Sequence, residues 1–207
     1  MRDVVYIASI SVDGFLGTDE DNAWVVPDPE LHRHFNALEG LFDTHLYGRR
    51  MYELMSEFWP AADELPDAPD YVAEYARIWR AMRKVVFSAS LHQVEWNSSL
   101  VAGDAVEEVA RLKTEPGAAI GVGGAALATS LAQHGLIDEV RFYVMPTVVG
   151  SGIPMFPELG RHIDLTTVET QRFSSGAVLL RYRAQSSARP DKGIERTPSA
   201  THVLGDE

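Results

Sequence analysis

From residue 4 to about residue 149 this chain alternates segments of strand and helix character, and only its last part breaks the rhythm with two strands in direct succession. That order constrains the fold more than any other feature, because strands separated by helices run parallel while strands joined by a tight turn run antiparallel. Residues 4–12 are rich in β-branched side chains and end at the turn signal Asp13-Gly14, after which 15–17 resume the strand briefly. A loop over 18–26 carries Trp24; Pro27-Asp28-Pro29 then opens a helix reaching about Leu41, with Asp28 as its N-cap. The short strand His45-Leu46-Tyr47 passes through Gly48-Arg49-Arg50 into a helix over 51–58. Residues 60–69 read as a loop rich in proline and acid, 70–82 as a helix, and 84–88 as a strand ending in Ser88-Ala89-Ser90.

The second half continues in kind. A short strand over 97–101 precedes a helix capped by Asp104 and ending at Lys113. A strand over 118–122 runs into the cluster Gly121-Val122-Gly123-Gly124-Ala125 and a helix to about His134. Residues 139–149 read as one long strand followed by Gly150-Ser151-Gly152, and strands over 165–173 and 177–184 are joined by Ser174-Ser175-Gly176 at hairpin spacing. The expected architecture is an α/β sandwich with a mostly parallel mixed sheet and an antiparallel C-terminal edge. One domain covers 1–184; the polar, proline-containing remainder, 185–207, reads as a flexible tail.

Composition removes several function classes. A chain of 207 residues with 45% hydrophobic content builds one sizeable core rather than two small ones. Its formal charge of -12 argues against nucleic acid and anionic membranes as partners, so an anionic ligand needs a local arginine patch. Cysteine is absent, which excludes disulfides, thiolate metal sites and a cysteine nucleophile. His32 and His34 point to different faces of a helix and complete no metal set. With no cleavage pattern near Met1 and no apolar run of membrane-spanning length, a cytoplasmic protein is expected.

The glycine cluster lets a backbone pass close to a ligand, and the helix behind it offers free N–H groups to an anion, although the same run also suits a plain strand-to-helix turn. It departs from the dinucleotide fingerprint G-x-G-x-x-G because Ala126 holds the place of the last glycine. Asp13-Gly14, Gly48-Arg49-Arg50, Ser88-Ala89-Ser90, Gly123-Gly124 and Gly150-Ser151-Gly152 all follow the carboxyl end of a strand or its neighbour, and are expected on one edge of the sheet, where open α/β sheets bind ligands. Arginines at a helix start oppose the helix dipole unless an anion joins them. Together these groups describe a pocket for a phosphorylated dinucleotide, with Trp24, Phe35 and Trp59 as either ring-binding or core residues.

The ordered set Ser-Val-Asp-Gly-Phe-Leu-Gly (11–17), Trp24 with Pro27, Gly48-Arg49 to Glu53, Val86-Phe87-Ser88 and the cluster at 121–125 resembles dihydrofolate reductase. Within that superfamily the chain is most similar to short bacterial proteins resembling the C-terminal reductase domain of the bifunctional riboflavin-biosynthesis deaminase/reductase, through Leu136-Ile137-Asp138-Glu139-Val140 and the run from Pro146 to Gly152. The resemblance implies a dihydrofolate reductase-like three-layer sandwich, NADPH as cofactor, and hydride transfer to a pterin-like or pyrimidine-like substrate of the 5-amino-6-(5-phosphoribosylamino)uracil type.

Carried over position by position, it implies that Ser9 and Leu16 hold the nicotinamide carboxamide through backbone groups, that Gly48, Arg49 and Arg50 grip the phosphates, and that Ser88 with Ser90 receives the adenosine 2′-phosphate. Gly121, Gly123, Gly124 and Ala125 fall to the cofactor as well, with a cis peptide between Gly123 and Gly124. The acid facing the substrate matches Glu30, or Asp28 if the turn is one residue longer. A ribosyl phosphate would need a second basic cluster, for which Arg33 and Arg161 are scattered candidates. The resemblance further implies a homodimer, built on residues 139–149 and the terminal hairpin. Two other classes stay open: a nucleotide-binding protein that keeps the fold without the chemistry, and a metal-dependent nucleoside-phosphate hydrolase.

Overall fold

The computed structural model describes residues 1–17 and 23–185. β1 (Val4–Ile10) and the two-residue β2 (Phe15–Leu16) come first, and Asp28 then caps α1 (Pro29–Glu39), its carboxylate accepting from the Leu31 amide at 2.9 Å. Proline at the first helical position and Glu30 in the first turn complete a locally encoded start. β3 (Phe42–Gly48) passes directly into α2 (Arg49–Phe58), a 3-10 turn over Trp59–Glu64 follows, and α3 (Asp70–Ala81) leads to β4 (Arg83–Phe87). β5 (Ser98–Val101), α4 (Ala105–Thr114), β6 (Ala119–Gly123), α5 (Ala125–Gln133) and β7 (Glu139–Val144) complete the alternating part. β8 (Ile153–Pro154) pairs with β2, and β9 (Leu165–Arg172) with β10 (Val178–Ala184) forms the antiparallel hairpin.

The main sheet has the order β5-β4-β3-β6-β1-β7-β10-β9, parallel from β5 to β7 and antiparallel beyond. Alternation within β1 sorts the core into two layers. Val4, Tyr6, Ala8 and Ile10 pack with Val109 and Leu112 of α4 and Leu127 and Leu131 of α5. Ile7 faces the opposite layer, where Leu31 and Leu38 of α1 meet Tyr143 and Leu179. Leu31 is completely buried, which contributes about 2 kcal/mol. The result is the helix–sheet–helix sandwich of dihydrofolate reductase type, with the mixed sheet and terminal hairpin expected.

Several boundaries differ, each for a tertiary reason. The long strand expected over 139–149 stops at Val144, because Pro146 lacks an N–H and the chain turns, the Thr147 amide donating back to Met145. The first strand stops at Ile10, and Ser11 starts a turn in which its hydroxyl accepts from the Phe15 amide at 3.0 Å. The strand at His45 extends to seven residues because β4 and β6 flank it on both sides. Within the expected loop at 60–69 the 3-10 turn is anchored by Arg80, whose guanidinium grips both oxygens of Asp63 at 2.7 and 2.8 Å. The tail from 186 onward and residues 18–22 lie outside the described residues. Among the described residues no helix is long and apolar enough to cross a membrane.

Candidate active site

Because β1, β3, β4 and β6 are parallel, the turns that follow them emerge on the same edge of the sheet, and β7 delivers its own there too. Gly48-Arg49-Arg50, Ser88-Ala89-Ser90, Gly123-Gly124, Asp13-Gly14 and Gly150-Ser151-Gly152 are thus gathered along one line. Pairing of β1 with β6 ends at Tyr6 and Val122, whereas pairing with β7 continues to Ile10 and Val144. The carboxyl half of β1, including Ser9, therefore has no strand partner on its β6 side, and a gap opens there toward Gly123 and Gly124.

On the β3–β4–β6 side the local chemistry favours an anion. Both α2 and α5 begin at glycine, Gly48 and Gly124, and neither start has a side-chain cap. Their first amides are left to a ligand or solvent. The Arg49 guanidinium, half-exposed, donates to Glu53 at 2.8 Å and to the Ser90 hydroxyl at 2.9 Å, tying the loop after β3 to the loop after β4. Ser88 turns inward, its hydroxyl accepting from the amides of Ser90 and Leu91 at 3.2 and 3.1 Å. A methyl group at Gly48 would meet nothing within 4 Å, which leaves room beside the start of α2. These groups fit a phosphate-bearing cofactor.

The glycine cluster divides its work. At Gly123 a methyl group would lie 3.1 Å from the Tyr47 ring and 3.3 Å from Met51 Cγ, so this glycine lets the start of α2 close on the turn after β6. Gly124 has φ +100°, a conformation that favours glycine, and it accomplishes the turn with a trans peptide; the expected cis bond between the two is not present. Gly121 lies inside β6, short of the edge, where the His45 imidazole stands within 2.7 Å of the space a methyl would occupy. Its missing side chain accommodates that ring, whose Nε2 reaches the Glu39 carboxylate at 2.6 Å. Ala125, nearly buried, opens α5. Leu16 sits in β2, opposite Ile153.

The β1–β7 side is built differently. Glu30, exposed in the first turn of α1, accepts from the Ser174 amide at 2.9 Å and from the Ser174 hydroxyl. That hydroxyl, then the amide, holds the Glu30 carboxyl below its ordinary value, so it is ionised at neutral pH. Asp28 caps α1 and also receives the Ser174 hydroxyl at 3.3 Å. Asp13, which the sequence places in a turn on the ligand-binding edge, takes the amides of Val149 and Gly150 at 3.2 and 2.8 Å, and the Ser11 hydroxyl leads in lowering its pKa. His34 donates to or accepts from Tyr143 Oη at 2.8 Å, and burial, joined by Arg141, lowers its pKa and keeps it neutral.

Of the remaining candidates, Arg33 is bound to Asp70 at 2.9 Å and stacked on Tyr71, and Arg161 donates to the Gln133 carbonyl near the end of α5; neither joins the other's site. Phe35 packs edge-on against Tyr143, Trp24 lies beside the same core, and Trp59 packs on Tyr75. Two concavities lie elsewhere: about 570 Å³ at the amino edge beside Glu39, Asp43 and Arg83, and about 310 Å³ beside Phe142, Phe156 and Leu159. The second is lined in part by Arg161, and neither includes the groups at the starts of α2 and α5. The sequence marks Asp13 and Ser174 as turn residues, Asp13 on the ligand-binding edge, but not their pairing with Val149 and Glu30, because those partners lie more than a hundred residues away.

Comparison with known proteins adds a family. The model described as RibD C-terminal domain matches residues 2–179. The uncharacterized protein YyaP of Bacillus subtilis (strain 168) is 32% identical over 183 residues, covering 87% of this chain and 94% of that one. Among solved structures, a putative riboflavin biosynthesis protein from Shewanella sp. PV-4 superposes with TM-score 0.71 at 20% identity, covering 89% of this chain and all of that one. Enterococcus faecalis dihydrofolate reductase, complexed with NADP(H) and RAB-propyl, gives TM-score 0.61 at 14% identity, over 89% and 97% of the two chains.

Proposed function

The chain belongs to the RibD C-terminal domain family, and from that premise we propose that it is an NADPH-dependent reductase acting on a pterin-like or pyrimidine-like substrate. The observation that carries this reading is the pair of uncapped helix starts on neighbouring strands, Gly48 and Gly124, with Arg49 bridging to Ser90 beside them. Amides at the starts of α2 and α5 bind the pyrophosphate, and Arg49, Arg50, Ser88 and Ser90 receive the adenosine 2′-phosphate. Backbone groups of Ser9 and Leu16 orient the nicotinamide at the gap between β1 and β6.

When bound, NADPH supplies the hydride that joins the carbon of a C=N or C=O bond, leaving NADP+. The chain's own part is to fix distance and orientation and to match developing charge. Glu30, held ionised by Ser174, serves as a counter-charge and hydrogen-bond acceptor for the substrate, with Asp28 behind it; the proton that completes reduction at the heteroatom comes from water.

Titration of the purified protein with NADPH and with NADH, followed by nicotinamide fluorescence, tests the reading. NADPH is expected to bind at least about tenfold more tightly than NADH, the effect of one lost charge-assisted contact set. No binding of either sinks the reductase, equal binding removes the roles given to Arg49, Arg50 and Ser88, and binding without reduction of any pterin or pyrimidine favours a nucleotide-binding protein without the chemistry.

A further inference from the structure

The substrate end of the edge differs in charge from the cofactor end, and several of its donors are already bonded to this chain's own carboxylates. Between Arg2 and Arg33 the chain contains no lysine or arginine, and none between Arg141 and Arg161. Those two stretches build the turns after β1 and β7 and the start of α1.

Occupancy of the backbone donors points the same way. The amides of Val149 and Gly150 are held by Asp13, the amide and hydroxyl of Ser174 by Glu30, and the Leu31 amide by Asp28. A phosphate or carboxylate entering here would have to displace one of this chain's own carboxylates and then stand among the rest. The nearest cations do not relieve that. Arg33 faces away to Asp70 and Tyr71, Arg141 is buried against Glu139, and His34 is neutral at neutral pH. Arg172, at the end of β9, is separated from β7 by the whole of β10 and, by alternation, falls on the face opposite α1.

We propose that the substrate reduced at this edge carries no phosphate or carboxylate and is a neutral or cationic nitrogen heterocycle, its protonated or N–H edge set against Glu30 and Asp28. The inference rests on the reductase reading and narrows it: a pyrimidine riboside fits, and its 5′-phosphate does not. Like charges brought together within a few ångströms repel, and salt screens that repulsion.

The test uses the full chain with NADP+ bound and two matched pairs of probes: 5-amino-6-(ribosylamino)uracil against its 5′-phosphate, and pterin against pterin-6-carboxylate, with affinities measured by calorimetry at low and high salt. The uncharged member of each pair that binds is expected to bind at least about tenfold more tightly at low salt. The gap should narrow in high salt and in Glu30→Gln. An anionic member that binds as tightly as its neutral partner overturns the charge assignment, and failure of all four probes overturns the heterocycle class. The cofactor titration keeps the two levels apart: a protein that binds neither NADPH nor NADP+ fails as a reductase, whereas one that binds them and prefers the phosphate fails only here.

Discussion

The two edges of the central sheet carry similar residues and use them in opposite ways. At the amino edge, charges are matched inside the protein. Arg2 donates to the Ala118 carbonyl at 2.7 Å, to Thr44 at 3.1 Å and to Asp43; Lys113 meets Asp138; and Glu139, almost fully buried, is held by Arg141 at 2.6 Å and by Arg181 at 2.9 and 3.0 Å. At the carboxyl edge, α2 and α5 start on uncapped glycines, while α1 and α4 start with Asp28 and Asp104 as caps. Polar groups spent on one another stabilise a fold, and those left unspent are available to a ligand. An alteration at the amino edge should therefore cost stability, and one at the carboxyl edge should cost binding.

The largest effect expected is at the amino edge. Glu139→Ala leaves Arg141 and Arg181 without their shared carboxylate in a buried setting and should lower unfolding stability by about 3–5 kcal/mol in urea denaturation, while the folded fraction keeps its NADPH affinity. Although burial alone would push Glu139 up, its bonds to Arg181 and Arg141 hold it below the ordinary carboxylate value of 4.5. This stability is therefore present above that value and lost as pH falls through the lower folded pKa. A loss under about 1 kcal/mol would erase the contrast between the edges.

Next comes Gly124→Ala, which places a side chain at φ +100° and should cost about 1–3 kcal/mol; it is the one position expected to lower both stability and NADPH affinity. Arg49→Ala should weaken NADPH about tenfold and leave NADH and the unfolding curve almost unmoved. Equal weakening of both cofactors would take the 2′-phosphate contact away from Arg49.

At neutral pH the effect least visible is a pH slope at the amino edge, which appears only in alkali. Lys84 is completely buried, donates to the carbonyls of Trp79 and Met82 at 2.6 and 2.8 Å, and is lowered by burial to about 8. A lysine lowered on folding keeps its proton longer in the unfolded chain, so stability should rise with pH from about 8 toward 10. Above 10 the buried Tyr6, Tyr47, Tyr75 and Tyr143, all raised by burial, work in the other direction. Lys84→Met should flatten the rise, and a Lys84→Met curve parallel to the parent's would remove Lys84 as its source.

Much of this was legible in the residues. Asp28 and Asp104 cap helices as their positions in the chain imply, the turn residues mark the carboxyl edge, and the hairpin turn falls at 173–177. What was not legible has a common cause. Gly121 reads as part of a phosphate loop, but its role depends on His45 in a neighbouring strand; the cis bond expected at Gly123 is replaced by the positive φ of Gly124; and the long strand from Glu139 is cut short where Pro146 and the bond from the Thr147 amide back to the Met145 carbonyl turn the chain.

The sequence by itself determined the segments, their order, their caps and the edge on which the glycine, arginine and serine turns collect, because each depends on residues within a few positions of one another or on the parallel sense that alternation imposes. Only the tertiary structure decided which polar groups are free. Asp13 meets Gly150, Glu30 meets Ser174, and Arg49 meets Ser90 across 137, 144 and 41 residues, and hydrogen bonds act over about 3 Å of space regardless of chain separation.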